Sequence, residues 1–292
     1  MDPLTNNRYI YQPAKSSLSY QASVQLLRDR GLEVVERWKD KAYPDSLART
    51  LFLAEQCGWV VKPLEINITD YNEYYHRAEY QPRYPEYYTG NLPEKSLEHF
   101  LSLTLLGLRE QDVFVDLASE SSPLPEIVSR LSGCKCYSQD IMYPEGILGN
   151  QIGGDACAMP VMDGFFTRAA LTCSLEHFEG RADCQLFVEL SRVLVPGGKV
   201  CVVPFYLYHT SAVMTDPTYS TVNEVPFDSD ARVIAIKGWN NRHGRFYSPN
   251  SFMERIAMPL ADVFSFEYYL ITNACDIHPA NYVRFALVAT RR

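Results

Sequence analysis

The sequence has no apolar run approaching the roughly 20 residues that a bilayer crossing requires. Its first residues, Met1-Asp2-Pro3-Leu4, lack the basic and apolar regions of a secretory leader. Both absences predict a cytoplasmic protein with no membrane partner. Clusters of lysine and arginine are also missing. The chain has 27 basic and 35 acidic residues, a formal net charge of −8. A nucleic-acid surface needs a basic patch to displace counterions from phosphates, so a small-molecule substrate is expected and nucleic acid is not. Neither CxxC nor HxxxH spacing occurs among the 8 cysteines and 6 histidines, of which Cys134 and Cys136 are the only close pair. Without such spacing no metal site is expected. In the cytoplasm the thiols would stay reduced. No G-x-G-x-x-G occurs anywhere, which argues against a nicotinamide-binding turn and a hydride-transfer enzyme.

What is present fits a globular protein with a substantial core. The chain has 292 residues, 47% of them hydrophobic, enough for one large α/β domain with additions. Residues 1–20 are polar and read as a loose arm. Helical patterns follow over 21–39, with a break at Gly31, and from Pro44 to Cys57. Residues 70–90 carry seven tyrosines and read as helical up to Tyr80. Strand and helix patterns then alternate. Helices are expected over 94–108, 123–132 and 183–194, the last stopping at Pro196-Gly197-Gly198. Strands are expected at 113–118, 135–140, 150–155, 166–173 and 199–205. This rhythm predicts a mostly parallel sheet with helices on both faces. Residues 249–258 read as a further helix. Strands over 263–271 and 282–290 predict an antiparallel hairpin at the sheet edge. Between them and the fifth strand, residues 206–248 form an insertion too long for a plain loop, with a strand expected at 231–237.

In open α/β sheets ligands bind beyond the carboxyl ends of the strands, at the topological switch point. Here the strand ends lead into Asp116, Asp140, Asp155-Ala156 and Cys173-Ser174-Leu175-Glu176-His177-Phe178, which are expected to converge on one crevice.

This order, and above all the run from Gly154 to Gly198, resembles the class I S-adenosylmethionine (SAM)-dependent methyltransferases. Met159-Pro160, the Leu-x-His-Phe segment, Glu189, Arg192-Val193-Leu194 and Pro196-Gly197-Gly198 carry the resemblance. It implies a Rossmann-like, mostly parallel seven-stranded sheet over residues 93–292, with 1–92 as an N-terminal extension and lid and 206–248 as a substrate cover. It implies SAM as cofactor, and an enzyme moving a methyl group to an oxygen or nitrogen of a small molecule. Asp140, with Ile141 beside it, would meet the ribose, and Asp155 and Ala156 the adenine. Asp116, Ala118, Ser119 and Glu120 would face the methionine end, and Cys173 would also bind the cofactor. Tyr75, near Tyr71 and Tyr80, matches a segment that closes over SAM, although the tyrosines are equally well read as a packed seam. His177 and His243 are the candidate bases, His177 being also readable as structural. The family's first loop is glycine-rich. Here Ala118, Glu120 and Ser122 replace the glycines, so Ala118 is expected to keep a negative φ. That departure supports the alternative of an inactive SAM-fold scaffold.

Overall fold

The computed structural model describes residues 13–36 and 44–292. The first part of the expected arm and residues 37–39 of the first expected helix lie outside them. Helix α1 (Tyr20–Asp29) is capped by Ser19, whose hydroxyl accepts from the Ala22 N–H. Beyond Gly31, at φ 83°, the helix does not resume. The β-branched pair Val34–Val35 instead forms a short strand, β1. Helix α2 (Pro44–Gln56), strand β2 (Val61–Leu64), helices α3 (Ile68–Ala78) and α4 (Tyr80–Arg83) and the long α5 (Leu92–Leu106) complete the N-terminal third.

The alternating part follows as β3 (Val113–Leu117), α6 (Leu124–Ser132), β4 (Lys135–Leu148), β5 (Gln151–Gly153), β6 (Phe166–Thr172), α7 (Ala182–Val193) and β7 (Leu194–Val203). Helix α7 ends before Pro196-Gly197-Gly198, which sits in a bulge within β7, where the register to β6 shifts. The insertion holds β8 (Ala212–Thr215), α8 (Pro217–Ser220), β9 (Arg232–Ala235) and β10 (Gly244–Phe246). Helix α9 (Pro249–Phe252) runs into a π turn over Met253–Ala257. Strand β11 (Phe264–Ile271), helix α10 (Ala274–Ile277) and strand β12 (Phe285–Arg291) close the chain.

Eight strands, rather than the expected seven, form the main sheet in the order β2-β11-β12-β7-β6-β3-β4-β5. Its neighbours are parallel except for β12, which is antiparallel to both β7 and β11. The late hairpin is therefore not the edge: β2 adds in parallel outside β11. The chain reverses its winding between β3 and β6, which makes this the switch point. Alternate side chains of β3 face opposite layers. Val115 and Leu117 enter one core with α7, and Phe114 enters another with α5 and α6. No helix among the described residues is long and apolar enough to cross a membrane.

The step from β4 to β5 departs from the expected rhythm. Residues 138–140 pair with β5 in parallel register, and residues 145–148 return to pair with the same strand from its other side. The crossing depends on Gly153, where an added Cβ would lie 1.9 Å from the Pro144 carbonyl oxygen. The insertion builds a second sheet, β1-β9-β8-β10, completed by β1 from the N-terminal part. Threads from the first 92 residues thus enter both sheets.

Candidate active site

Beyond the carboxyl ends of β6 and β7 lies a cavity of about 510 Å³, well within the range of small-molecule sites. Cys173, Glu176 and His177 enter it from the turn after β6, and the Phe205–Tyr208 segment enters it after β7. Tyr88 and Lys95 close one side, Trp239 and Phe246 of the insertion another, and Ser46 and Thr50 of α2 cover it.

The two candidate histidines hold the roof to the floor. His177 Nδ1 donates to the His243 carbonyl at 2.6 Å, and His243 Nδ1 donates to the Glu176 carbonyl at 2.9 Å. The first bond fixes the His177 tautomer. In the neutral ring the proton sits on Nδ1 and the Nε2 lone pair is left free. Trp239 stacks beside this ring, with centroids 6.4 Å apart. His243 does not line the cavity. It is 1% exposed, and burial holds it down to about 3. A ring that stays neutral is a clasp in this structure rather than a proton acceptor.

Beneath the cavity lies an unusual density of buried charge. Lys95 Nζ donates to both oxygens of Glu98, at 2.9 and 3.2 Å. Glu94 Oε2 accepts from the Tyr282 N–H at 2.9 Å, its Oε1 has no partner among the described residues, and burial pushes this carboxyl up to about 7. Glu98 and Glu176 both act on Cys173, whose thiol burial pushes up. Cys173 itself adopts φ 51°, and the neighbouring Ser174 hydroxyl donates to the Leu117 carbonyl, tying β6 to the end of β3.

That end carries Asp116. The residue is fully buried, and neither carboxylate oxygen has a well-formed hydrogen bond among the described residues, the Ser122 hydroxyl being the donor that acts on it. Burial pushes the carboxyl up to about 7. The loop above it takes the conformation of the glycines it lacks. Ala118 has φ 50° and Glu120 φ 48°, so the expected negative φ at Ala118 is not found. The turn is imposed from β4: Gln139 Oε1 accepts from the Ala118 N–H and the Gln139 carbonyl from the Ser119 N–H. Left-handed backbone at residues bearing a Cβ costs on the order of 1 kcal/mol each. The Tyr143 hydroxyl adds a strap, donating to the Glu120 carbonyl and lying 3.1 Å from the Ser119 hydroxyl.

Asp140, Ile141, Asp155, Ala156 and Tyr75 are not among the residues that line this cavity. Asp140 accepts one backbone N–H on each oxygen, from Glu120 at 2.7 Å and Met142 at 2.8 Å. Asp155 is exposed and caps its own turn, accepting from the Cys157 N–H. Ala156 is buried in the core, while the Ile141 side chain is 69% exposed. Tyr75 packs against Tyr71 and Tyr80 in the seam between α3 and α5. A chain of hydrogen bonds runs deeper in that seam, from Tyr74 through Tyr80 to His99 and Tyr87. Of the tyrosines in 70–90, Tyr88 is the one that reaches the cavity.

No family model matches the sequence, and no curated protein matches it. Among solved structures, the chain is similar to 1,6-didemethyltoxoflavin-N1-methyltransferase of Burkholderia thailandensis, crystallised with 1,6-didemethyltoxoflavin and S-adenosylhomocysteine. The identity is 13% over 80% of this chain and 93% of that one, with a TM-score of 0.44. It is also similar to geranyl diphosphate C-methyltransferase from Streptomyces coelicolor A3(2), at 13% identity over 86% and 99%, TM-score 0.42. A third is the PH0226 protein from Pyrococcus horikoshii OT3, at 17% identity over 75% and 97%, TM-score 0.46. Likenesses this distant carry no functional argument.

Proposed function

We propose that this protein is a SAM-dependent methyltransferase acting on an oxygen or nitrogen of a small molecule held in the cavity. The single observation behind this reading is Asp116. A buried carboxylate with no well-formed hydrogen bond on either oxygen is costly unless a donor arrives, and this one lies at the carboxyl end of the central strand, at the switch point. The α-ammonium of SAM is such a donor. Asp140 keeps acceptor capacity for hydroxyl donors beside its two backbone bonds. The Ala118–Ser122 loop and Cys173 would complete the holding set.

SAM supplies an electrophilic methyl group when bound. The chain's own residues orient the acceptor, keep water out and move its proton. His177 Nε2, freed by the His243 clasp, is placed to accept that proton. Residues 93–292 would form the SAM-binding unit, 1–92 the extension and lid, and 206–248 the substrate cover. The cytoplasm is the proposed compartment, where the free thiols stay reduced.

A second reading, a scaffold that has lost SAM, draws on Asp140, whose oxygens are both already engaged by the loop. Calorimetric titration with S-adenosylhomocysteine separates the two. The enzyme reading expects saturable binding that tightens from pH 6 to 7.5, because the ammonium needs the ionised Asp116 and its carboxyl sits at about 7. In Asp116→Asn binding should be at least tenfold weaker and flat over that range. No heat at millimolar ligand would favour the scaffold.

A further inference from the structure

The cavity wall itself carries a carboxylate with an oxygen that has no partner among the described residues. Glu176 lines the wall and is 6% exposed. Its Oε2 has no partner among the described residues, and its Oε1 lies 3.7 Å from His177 Nε2, beyond hydrogen-bond distance. Of the two basic side chains that line the cavity, Lys95 is held by Glu98, and half-buried Arg284 has no ion pair among the described residues. Glu120 adds a further negative charge, close enough to act on His177 and Lys95. The walls are aromatic, with Trp239, Tyr88, Tyr206 and Phe246 among them. Lys95 Nζ already lies 5.1 Å from the Tyr88 ring centroid, the geometry in which an aromatic face attracts a cation.

We infer that the cavity binds the ammonium group of a cationic small molecule, with Glu176 as its counter-ion and Trp239 and the tyrosines as its wall. Resting on the proposed function, this makes the methyl acceptor an amine or an ammonium-bearing compound rather than an acid or a phosphate ester. A carboxylate deprived of water within aromatic walls favours a diffuse, weakly hydrated cation over a neutral molecule of the same shape. The cofactor is itself cationic, so the test must separate two sources of one chemistry.

Choline and its neutral isostere 3,3-dimethyl-1-butanol are the probes, titrated calorimetrically into the full chain. Choline should bind at least tenfold more tightly. Glu176→Gln should remove at least tenfold of the choline affinity, leave the alcohol unchanged and not lower the melting temperature, because no bond of Oε2 is lost. Saturating S-adenosylhomocysteine should leave choline affinity within twofold. Equal binding of the two probes to the wild type, or an unaffected Glu176→Gln, would overturn the inference. Displacement of choline by S-adenosylhomocysteine would assign the cation site to the cofactor and overturn the acceptor assignment. If S-adenosylhomocysteine fails to bind while choline keeps its preference, the methyltransferase reading falls and the cation site stands.

Discussion

Replacing Arg245 with alanine is expected to destabilise the fold by about 3–5 kcal/mol, the cost of breaking a buried ion-pair network from one side. The side chain is 2% exposed. Its Nε donates to Asp228 at 2.7 Å, and its terminal nitrogens donate to the Phe178 and Gly180 carbonyls at 2.6 and 2.9 Å. Asp183 lies 3.2 Å from the same guanidinium and also accepts from Tyr247 and Arg255. Two arginines thus balance two aspartates where β10 meets the start of α7. Removing Arg245 leaves an uncompensated buried charge and the Phe178 carbonyl without its side-chain donor, while the Gly180 carbonyl keeps its bond from Arg255. Arg245→Lys should recover only part of the loss, because a point charge cannot serve a fork of four acceptors. Urea unfolding measures this directly, and a change below about 1 kcal/mol would mean that water or the partners repair the gap. Since the network pins the small sheet over the cavity, S-adenosylhomocysteine affinity should fall with it.

The second large effect is expected at Asp140. Asp140→Ala removes two charge-assisted bonds to backbone N–H groups, each contributing about 1.5–3 kcal/mol. A loss of about 2–4 kcal/mol in urea unfolding is expected after partial rescue by solvent. The Glu120 N–H is one of the two donors released, so the loop over Asp116 loses its anchor. S-adenosylhomocysteine affinity should drop at least tenfold, about 1.4 kcal/mol. Asp140→Asn keeps one acceptor and should fall between. Reduced stability with unchanged affinity would show that this loop lies outside the cofactor site.

Much of the architecture was legible because its signals are local. Strands β3, β6 and β7 are short apolar runs between turn signals, and α5 and α7 have a clear helical period. Strand β2 was hidden by Pro63, which is tolerated because the strand lies at the edge of the sheet. β1 was hidden because two valines were absorbed into a longer helical pattern, and only pairing with β9 makes them a strand. The fold-back of β4 had a signal, Tyr143-Pro144-Glu145-Gly146, that went unread as a turn.

In the site, the strand-end rule found Asp116, Cys173 and His177. Glu176 was within the segment it picked out but had no role assigned to it. The rule missed Lys95 and Glu98, which on α5 look like solvent-facing charges. Tyr282, 187 residues further along the chain than Lys95, lines the same cavity and donates its N–H to Glu94, a contact that helix periodicity does not reveal. The left-handed backbone at Ala118 and Glu120 was unreadable for a different reason. The residue types argue against it, and tertiary hydrogen bonds from Gln139 override them.

The central claim is that a cofactor settles over Asp116 and beside the turn after β6. Amide hydrogen exchange of the whole protein with and without saturating S-adenosylhomocysteine tests it most directly. The account predicts slowed exchange in residues 117–122 and 173–178 together. Ligand-induced protection confined to other parts of the chain, or none at a concentration that produces binding heat, would contradict it.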